Sequence, residues 1–328
     1  MKVSVIVPVY NTSKYLRRCA DHLVNQTLDE IEIIFINDGS TDNSISILNE
    51  YKEKYPSKVF VYSKENGGQA TARNLGIKVA TGDYIGFADS DDFVETNMFK
   101  TMYDEAKAKD ADYVECYFHF IEEFPNGETK ELPRRGDVRE YRSNKDMFIN
   151  PQVSPWNKLY KASILKDNNI IFPEGLIYED TSFFIKTLPF IKKSAFISDP
   201  FVHYFLRSGS TMNSRSEASQ KKTGDIIPVL GDILEFYKSN NFYDEYKYEL
   251  EYFISKILLC SNISRIGRVT IRPLWRELIK NTFSTLKEWF PNYSNNPYYK
   301  GKLKLYIKLI KPWNARIISL PLGRLMRG

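Results

Sequence analysis

Three carboxylates close to one another give residues 83–92, DYIGFADSDD, the most chemically suggestive pattern in this sequence. The first half is apolar enough for a short buried strand, and Asp89, Asp91 and Asp92 follow it. Residues two apart in an extended chain point to the same side, so Asp89 and Asp91 could offer hard oxygen ligands to Mg²⁺ or Mn²⁺. An acidic turn that caps the helix starting near Glu95 is the alternative, and this stretch alone leaves both open.

The elements before this stretch alternate between strand and helix patterns. Strands are predicted over residues 3–9, 31–36, 59–62 and 84–88, and helices over residues 15–28, 44–55 and 69–80. This alternation predicts an α/β fold with a mostly parallel, Rossmann-like sheet and helices on both faces. Ligands of such sheets bind beyond the carboxyl ends of the strands.

Polar residues and glycine gather where the four predicted strands end, in PVYN (8–11), NDGS (37–40), KENGG (64–68) and DSDD (89–92). Asp38 could hydrogen-bond a nucleobase or ribose, and the glycines after Asn66 would let the backbone approach a phosphate before a helix N-terminus. Residues 38–41 alone would also suit an ordinary turn with a helix cap. Four such ends at one edge indicate a nucleotide site.

Composition limits the remaining possibilities. The chain has 328 residues, 42% of them hydrophobic, which suffices for one large domain and an appendage. Its three cysteines are odd in number and without CxxC spacing, which argues against a disulfide framework or a zinc site. Residues 3–9 are too short for a signal-peptide core, and no apolar run approaches the ~18 residues of a membrane span. We therefore expect a cytoplasmic protein that is not integral to the membrane.

Four motifs in order and spacing closely resemble the family 2 glycosyltransferases of the GT-A fold. They are VIVPVYN at residues 5–11, NDGSTD at 37–42, ARNLG at 72–76 and DSDD at 89–92. The combination is highly specific, and the resemblance continues more weakly to about residue 215. It implies a metal-dependent inverting enzyme that transfers a hexose-type sugar from a UDP-sugar to a saccharide hydroxyl of a bacterial cell-surface polysaccharide, such as a capsule.

The resemblance implies roles for particular residues. Asp89 and Asp91 would hold a divalent metal, Mn²⁺ or Mg²⁺, on the diphosphate. Arg73 would face the donor, although a helix-surface arginine paired with Asp42 or Glu65 would look the same in sequence. The predicted nucleotide and donor site comprises Pro8, Tyr10, Asn11, Asp38, Asn66, Arg73, Asn74, Asp89 and Ser90.

The candidate base lies in residues 178–184, YEDTSFF, at the start of an amphipathic helix that ends at Pro189. Carboxylates in a first turn cap backbone N–H groups and suit the helix dipole, which alone would explain Glu179 and Asp180. The family has a Glu-Asp pair in such a place, so the resemblance implies Asp180 as the general base and Glu179 as its supporting neighbour. We expect the helix end to keep Asp180 ionised at neutral pH.

The acceptor side is less specific. Residues 112–120 read as a strand, residues 122–142 as a charged hairpin or loop, and residues 154–160 resemble a segment that borders the acceptor. Trp156 is a candidate because an aromatic face suits the C–H face of a sugar, with a core position as the alternative. Lys158 and Asp92 are further acceptor-side candidates.

Residues 203–211 resemble a family segment of the form Tyr-x-x-Arg-x-x-Ser that closes over the diphosphate. The resemblance implies Arg207 and Ser210 as donor ligands, with bidentate phosphate contacts from Arg207. His203 would be a third metal ligand or a packed strand residue.

From about residue 220 the pattern becomes helical, with helices predicted over residues 225–238, 246–264 and 273–290. We therefore predict a catalytic domain over residues 1–219, with its nucleotide-binding half over about 1–110 and its acceptor-side half over about 111–219. A helical C-terminal appendage follows over 220–328. Residues 289–328 contain eight Lys/Arg and no Asp/Glu, whereas the whole chain has a net charge of +5, so the main domain is not basic enough to suggest nucleic-acid binding.

A basic amphipathic helix is predicted in this tail, about residues 299–328. Over residues 300–311, one face carries Leu303, Tyr306, Ile307 and Ile310, and another carries Lys300, Lys304, Lys308 and Lys311. We expect this tail to attach the enzyme peripherally to the inner face of the cell membrane, where a polyprenyl-linked acceptor would be extended. Alternatively, the apolar face packs on the protein's own helices or on a second subunit of a homo-oligomer.

A non-catalytic sugar-nucleotide-binding partner subunit is the alternative from another functional class. The presence of both metal aspartates and the base counts against it. A nucleotidyltransferase fits less well, because no Gly-rich basic signature follows the first strand. A retaining enzyme would need a different arrangement, which the sequence does not exclude.

Overall fold

The computed structural model describes residues 1–124, 128–132, 141–206 and 216–318. The chain divides into two compact units. Unit 1 comprises residues 1–142, 153–175 and 179–208, and unit 2 comprises residues 143–152, 176–178 and 209–328. The predicted domain boundary near residue 219 stays a prediction.

Unit 1 is an α/β structure. Its described strands are β1 (Val3–Val9), β2 (Ile31–Asp38), β3 (Val59–Lys64), β4 (Tyr84–Phe87), β5 (Phe93–Val94), β6 (Tyr113–Glu123), β7 (Thr129–Leu132), β8 (Lys158–Lys161) and β9 (Ser194–Leu206). Its described helices are α1 (Ser13–Val24), α2 (Ser44–Lys54), α3 (Gln69–Val79), α4 (Met98–Ala108), α5 (Ala162–Asp167) and α6 (Glu179–Thr187). The strands form one sheet in the order β3-β2-β1-β4-β8-β6-β9-β5, and β7 pairs with β6.

The sheet has a parallel half and a mixed half. Strands β3, β2, β1 and β4 pair in parallel, so their carboxyl ends meet at one edge, as the sequence predicts. Strand β8 runs antiparallel between β4 and β6, whereas β6 and β9 pair in parallel. The predicted α/β fold is confirmed. Strand β8 was not predicted, because its four residues, KLYK, are too few to show an alternating pattern.

Strand β1 is covered on both faces. Val5 and Val7 belong to an apolar core shared with residues of α1, α2 and α4. On the other face Ile6 meets α3 at Gly76, where an added Cβ would lie 2.3 Å from Cγ2 of Ile6. The missing side chain therefore lets α3, which carries Arg73, lie close against the sheet.

We expect Gly76→Ala to lower the free energy of unfolding, although alanine favours helix more than glycine does. Overpacking of this kind costs about 1–3 kcal/mol. Urea denaturation measures the change, and Gly231→Ala is the matched control because a Cβ there meets only ordinary contacts, the nearest atom being 3.6 Å away in Trp289. A Gly76→Ala variant as stable as the wild type would contradict the close approach.

Unit 2 is helical in its described part. Its helices are α7 (Glu217–Lys221), α8 (Ile226–Ser239), α9 (Tyr243–Lys256), α10 (Ile263–Ile266), α11 (Arg272–Trp289) and α12 (Gly301–Leu309), with a π-helical segment, Ile257–Asn262, between α9 and α10. The predicted helical C-terminal region is confirmed. Among these described helices, none combines the length and apolar character needed to cross a bilayer.

The chain after α11 packs onto the rest of unit 2. The side-chain amide of Asn296 donates to the carbonyl oxygen of Tyr248 at 2.8 Å, and the Tyr306 hydroxyl donates to the carbonyl oxygen of Leu259 at 2.6 Å. Ile307 and Ile310 are fully buried.

The prediction that the apolar side of α12 faces lipid is therefore wrong. Its apolar side packs on the protein's own helices, which was the alternative, because hydrophobic partners lie within the same unit. The predicted lysine face is exposed, and it comprises Lys300, Lys304, Lys308 and Lys311.

Candidate active site

A buried arginine lies at the centre of the candidate site. Arg73, on α3, is only 1% exposed. Its Nη1 donates to Oδ1 of Asp180 at 2.9 Å and to Oε1 of Glu179 at 3.1 Å, and its Nη2 donates to Oδ1 of Asp89 at 2.9 Å. Gln69, one turn earlier on α3, also donates to Oε1 of Glu179. The end of β4 and the first turn of α6 therefore meet at one guanidinium, which joins the predicted metal residue to the predicted base.

Arg73 is neither a surface side chain nor a partner of Asp42 or Glu65, so that alternative is wrong. The Asp42 carboxylate instead accepts hydrogen bonds from the backbone N–H groups of Ser13 and Ser44, both at 2.9 Å. It thereby joins the beginnings of α1 and α2.

The carboxylates around Arg73 outnumber its single positive charge. Burial raises the pKa of Asp180 to about 7, with Arg73 acting in the opposite direction and Glu179 adding to the rise. Burial therefore acts against the prediction that the helix end keeps Asp180 ionised at neutral pH. A pKa near 7 suits a general base that must both accept and release a proton.

An acidic cluster adjoins Arg73. One carboxylate oxygen from each of Asp89, Asp91 and Asp92 lies within 4.8 Å of the others. Asp92 is buried; its Oδ1 accepts from the N–H of Phe205 at 2.8 Å, and its Oδ2 has no hydrogen-bond partner among the described residues. Burial raises the pKa of Asp92 well above its usual value. A buried oxygen without a donor, beside two further carboxylates, fits a small divalent cation that prefers oxygen ligands.

Asp92 does not fit its predicted acceptor-side role. Its side chain is enclosed between the acidic cluster and the backbone of β9, so an acceptor sugar would have no access to it.

His203 stands apart from the acidic cluster. Antiparallel pairing of β5 and β9 places it opposite Phe93, and the two rings stack with their centroids 4.3 Å apart. Its Nε2 lies 2.7 Å from Oε1 of Glu95. The structure therefore supports the packed strand residue rather than the third metal ligand.

The predicted nucleotide side is organised by Asp38 at the end of β2. Its carboxylate accepts from Nζ of Lys64 at 2.7 Å and from the N–H groups of Gly67 and Gly68 at 3.0 and 2.8 Å. Asn66 donates to the Asp38 carbonyl oxygen at 3.0 Å. Asp38 thus fixes the loop before α3. Lys64 was not among the predicted site residues, although the parallel register of β2 and β3 places it opposite Asp38.

The end of β1 carries one exposed residue, Tyr10, and two residues with structural partners, Asn11 and Pro8. Tyr10 is 50% exposed, which leaves a ring face open to a nucleobase. Asn11 has a φ of +52°, and its Oδ1 accepts from the N–H of Thr41 at 2.8 Å, so it ties the first two strand ends together. Pro8 lies in β1, paired in register with Ile36 of β2.

Two other predicted donor residues have structural partners. The buried Ser90 hydroxyl accepts from the Thr12 hydroxyl at 2.9 Å. Asn74 donates to the Phe172 carbonyl oxygen at 2.9 Å and accepts from the Phe172 N–H at 2.8 Å. The amide of Asn74 therefore holds the chain leading to α6, and its predicted contact with the donor stays a prediction.

Both remaining acceptor candidates are buried. The Trp156 ring packs edge-on against Phe118 and stacks with Tyr204, with centroids 4.7 and 5.4 Å away. Nζ of Lys158 donates to the Ser154 carbonyl oxygen at 2.7 Å. Trp156 therefore occupies a core position, which was the alternative. Neither Trp156 nor Lys158 offers a surface to a sugar.

Arg207 and Ser210 lie outside the described residues, as do residues 125–127 and 133–140 of the predicted charged hairpin or loop. Strand β9 leads to Leu206, directly before this segment.

This fold is the GT-A fold, and it resembles solved glycosyltransferases. The TarS protein of S. aureus, residues 1–349 in complex with UDP-GlcNAc, matches with a TM-score of 0.58 at 22% identity, covering 92% of this chain and 93% of that one. The same protein in complex with UDP matches with a TM-score of 0.56 at 23% identity and the same coverage.

The family model described as Glycosyl transferase family 2 matches residues 4–168. Glycosyltransferase GlyG of Streptococcus pneumoniae serotype 4 is 36% identical over 243 residues, which are 69% of this chain and 77% of that protein. A poly(ribitol-phosphate) beta-glucosyltransferase of Bacillus spizizenii is 31% identical over 298 residues, 88% of this chain and 44% of that protein. The chain belongs to glycosyl transferase family 2, and the predicted class of enzyme, a glycosyltransferase, is confirmed.

We expect Arg73→Gln to lower the free energy of unfolding by about 3–5 kcal/mol at pH 8, because it leaves one buried and two partly buried carboxylates without their cation. The deficit should shrink as the pH falls, since protonation removes the uncompensated charge. Urea denaturation at several pH values measures both effects.

Arg17→Gln is the matched control. Arg17 contacts Glu50 at 2.7 Å, but both side chains are about half exposed, and exposed pairs contribute at most about 1 kcal/mol. An equal decrease in the free energy of unfolding in the two variants would show that Arg73 is no more important to the fold than a surface arginine.

Proposed function

We propose that this enzyme transfers a hexose-type sugar, with inversion, from a UDP-sugar to a saccharide hydroxyl of a cell-surface polysaccharide. The observation that carries the proposal is the Arg73 guanidinium, which joins Asp89 of the acidic cluster to Asp180, the candidate base. A donor diphosphate at the cluster and an acceptor hydroxyl at Asp180 would then be neighbours. The UDP complexes of TarS and the name of the poly(ribitol-phosphate) glucosyltransferase support the donor and the acceptor class.

The donor would lie along the carboxyl ends of β1, β2 and β4. Tyr10 would stack on the nucleobase. Asp38 would accept a hydrogen bond from the nucleoside and would also hold the loop of Asn66 in place. Asp89, Asp91 and Asp92 would hold a divalent cation, Mn²⁺ or Mg²⁺. When bound, such an ion offsets negative charge on the UDP leaving group.

Asp180 would remove the proton from the acceptor hydroxyl. As the O–H bond breaks, the acceptor oxygen forms a bond to C1 of the donor sugar, and the bond from C1 to the diphosphate oxygen breaks, so that UDP leaves with that electron pair. Arg73 donates from Nη1 to Oδ1 of Asp180 and orients the carboxylate, and Glu179 accepts from the same Nη1 and holds Arg73 in place. A single displacement of this kind inverts C1.

A non-catalytic sugar-nucleotide-binding subunit is the weaker alternative. It would need the nucleotide side and the acidic cluster, but it would not need a partly buried carboxyl whose pKa is raised to about 7 beside them.

The acceptor would be presented on a lipid carrier, such as a polyprenyl-linked saccharide, at the inner face of the cell membrane. The basic tail supports this location, because its lysines favour anionic lipid.

We expect Asp91→Asn to abolish donor binding that depends on Mn²⁺ without unfolding the protein, because it removes one negative oxygen from the cluster. Calorimetry with UDP and Mn²⁺ measures this binding. His203→Gln is the control and should bind as the wild type does, since His203 contacts Glu95 instead. Wild-type affinity in Asp91→Asn would exclude Asp91 as a metal ligand.

We expect Asp180→Asn to lower turnover by at least about 10²-fold, the low end for loss of a general base, and to change donor affinity only a few-fold. Wild-type kcat should fall as the pH drops below about 7, because protonated Asp180 is no base. The variant's residual rate should lack this dependence. Asp167→Asn, an exposed aspartate at the end of α5, controls for the substitution itself. Near-normal turnover in Asp180→Asn would make Asp180 a helix cap only.

A further inference from the structure

A row of exposed apolar side chains runs along the end of the described chain. Leu305, Leu309, Trp313 and Ile317 recur every four residues and are 61%, 56%, 79% and 72% exposed. We refer to these four residues as the tail apolar row. Large apolar side chains exposed together in this way mark interaction surfaces more often than single ones do.

The backbone beneath the tail apolar row is fixed. Asn314 accepts from the N–H of Lys311 at 2.7 Å and donates to the Leu309 carbonyl oxygen at 2.9 Å, which joins the end of α12 to the next helical turn. Ile310 and Ala315 are fully buried on the inward side. The row points outward because the inward side is already packed.

Exposed positive charges accompany the row. Residues 289–318 contain six basic residues and no acidic ones, and all six are exposed: Lys300, Lys302, Lys304, Lys308, Lys311 and Arg316. Apolar side chains with a tryptophan, set among cations, are typical of surfaces that lie in an anionic headgroup layer.

A second copy of this chain would fit the surface poorly. In a two-fold dimer the same patch faces itself, so the six cations of one copy would oppose the six of the other. Anionic lipid offers both apolar chains for the row and phosphates for the lysines.

We propose that the tail apolar row is the membrane-contacting surface of this enzyme, with Trp313 and its apolar neighbours in the headgroup layer of an anionic bilayer. This inference rests on the membrane location within the proposed function. The amphipathic spacing indicates lipid contact by the side of α12 that carries Ile307 and Ile310. The inference assigns this contact instead to the other side, which carries Leu305 and Leu309.

The test uses the full chain and vesicles of equal parts phosphatidylglycerol and phosphatidylcholine. We expect Leu309→Gln/Trp313→Gln to bind these vesicles at least about tenfold more weakly than the wild type, because two large apolar side chains no longer leave water. Tyr248→Gln is the matched control. Tyr248 is 58% exposed in α9 of the same unit, and its replacement should leave vesicle binding unchanged.

Trp313→Phe gives a second readout. It should keep vesicle binding, since phenylalanine is also large and apolar. Quenching of tryptophan fluorescence by brominated acyl chains should be strong in the wild type and weaker in Trp313→Phe, which retains the other three of the four tryptophans.

Three results would overturn the inference: unchanged vesicle binding in the double variant, no binding by the wild type at low salt, or equal binding to vesicles of phosphatidylcholine alone. If the wild type self-associates but does not bind lipid, and the double variant no longer self-associates, the tail apolar row would be assigned to contact with a second copy. UDP-sugar hydrolysis, measured without vesicles, should be the same in all variants. Its absence from the wild type would contradict the proposed function and leave the vesicle result standing.

Discussion

Burial of the Arg73 guanidinium is the constraint on which the candidate site depends. A charged group removed from water is tolerated only when partners replace its hydration, and here Asp89, Glu179 and Asp180 do so at Nη1 and Nη2. These partners come from segments about ninety residues apart in the chain, and they meet at Arg73 of α3, the helix that lies close against the sheet at Gly76. Packing around one glycine and pairing around one arginine therefore maintain the same geometry.

The charge around Arg73 does not balance within the protein. The acidic cluster and the first turn of α6 contribute more negative groups than one arginine compensates, and burial raises the pKa of both Asp92 and Asp180. Such an arrangement costs stability in the protein alone and is reasonable at a site that receives a cation and a diphosphate. Burial, with a smaller contribution from the neighbouring carboxylates of Glu179 and Asp89, raises the pKa of Asp180, the proposed base, to about 7.

Unit 2 shows that one short helix can have two apolar sides with different roles. Ile307 and Ile310 pack inward, where the helices of unit 2 provide apolar neighbours, and Leu305 and Leu309 remain in contact with water. Because a helix turns by 100° per residue, both sets have a helical spacing, and the spacing alone does not distinguish packed from exposed. The surrounding cations give the outer side its chemical character.

The sequence by itself determined the parallel half of the sheet, because strands that alternate with helices are joined by crossovers and pair in parallel. It also determined the polar edge where these strands end, because glycine, asparagine or aspartate follows each of them. The motifs also determined the family. Only the tertiary structure decided that Trp156 packs in the core, that Asn74 holds the chain before α6 and that His203 lies on Phe93. It likewise decided the raised pKa of Asp180. Burial and partners of this kind arise from contacts between residues far apart in the chain, which local spacing does not encode.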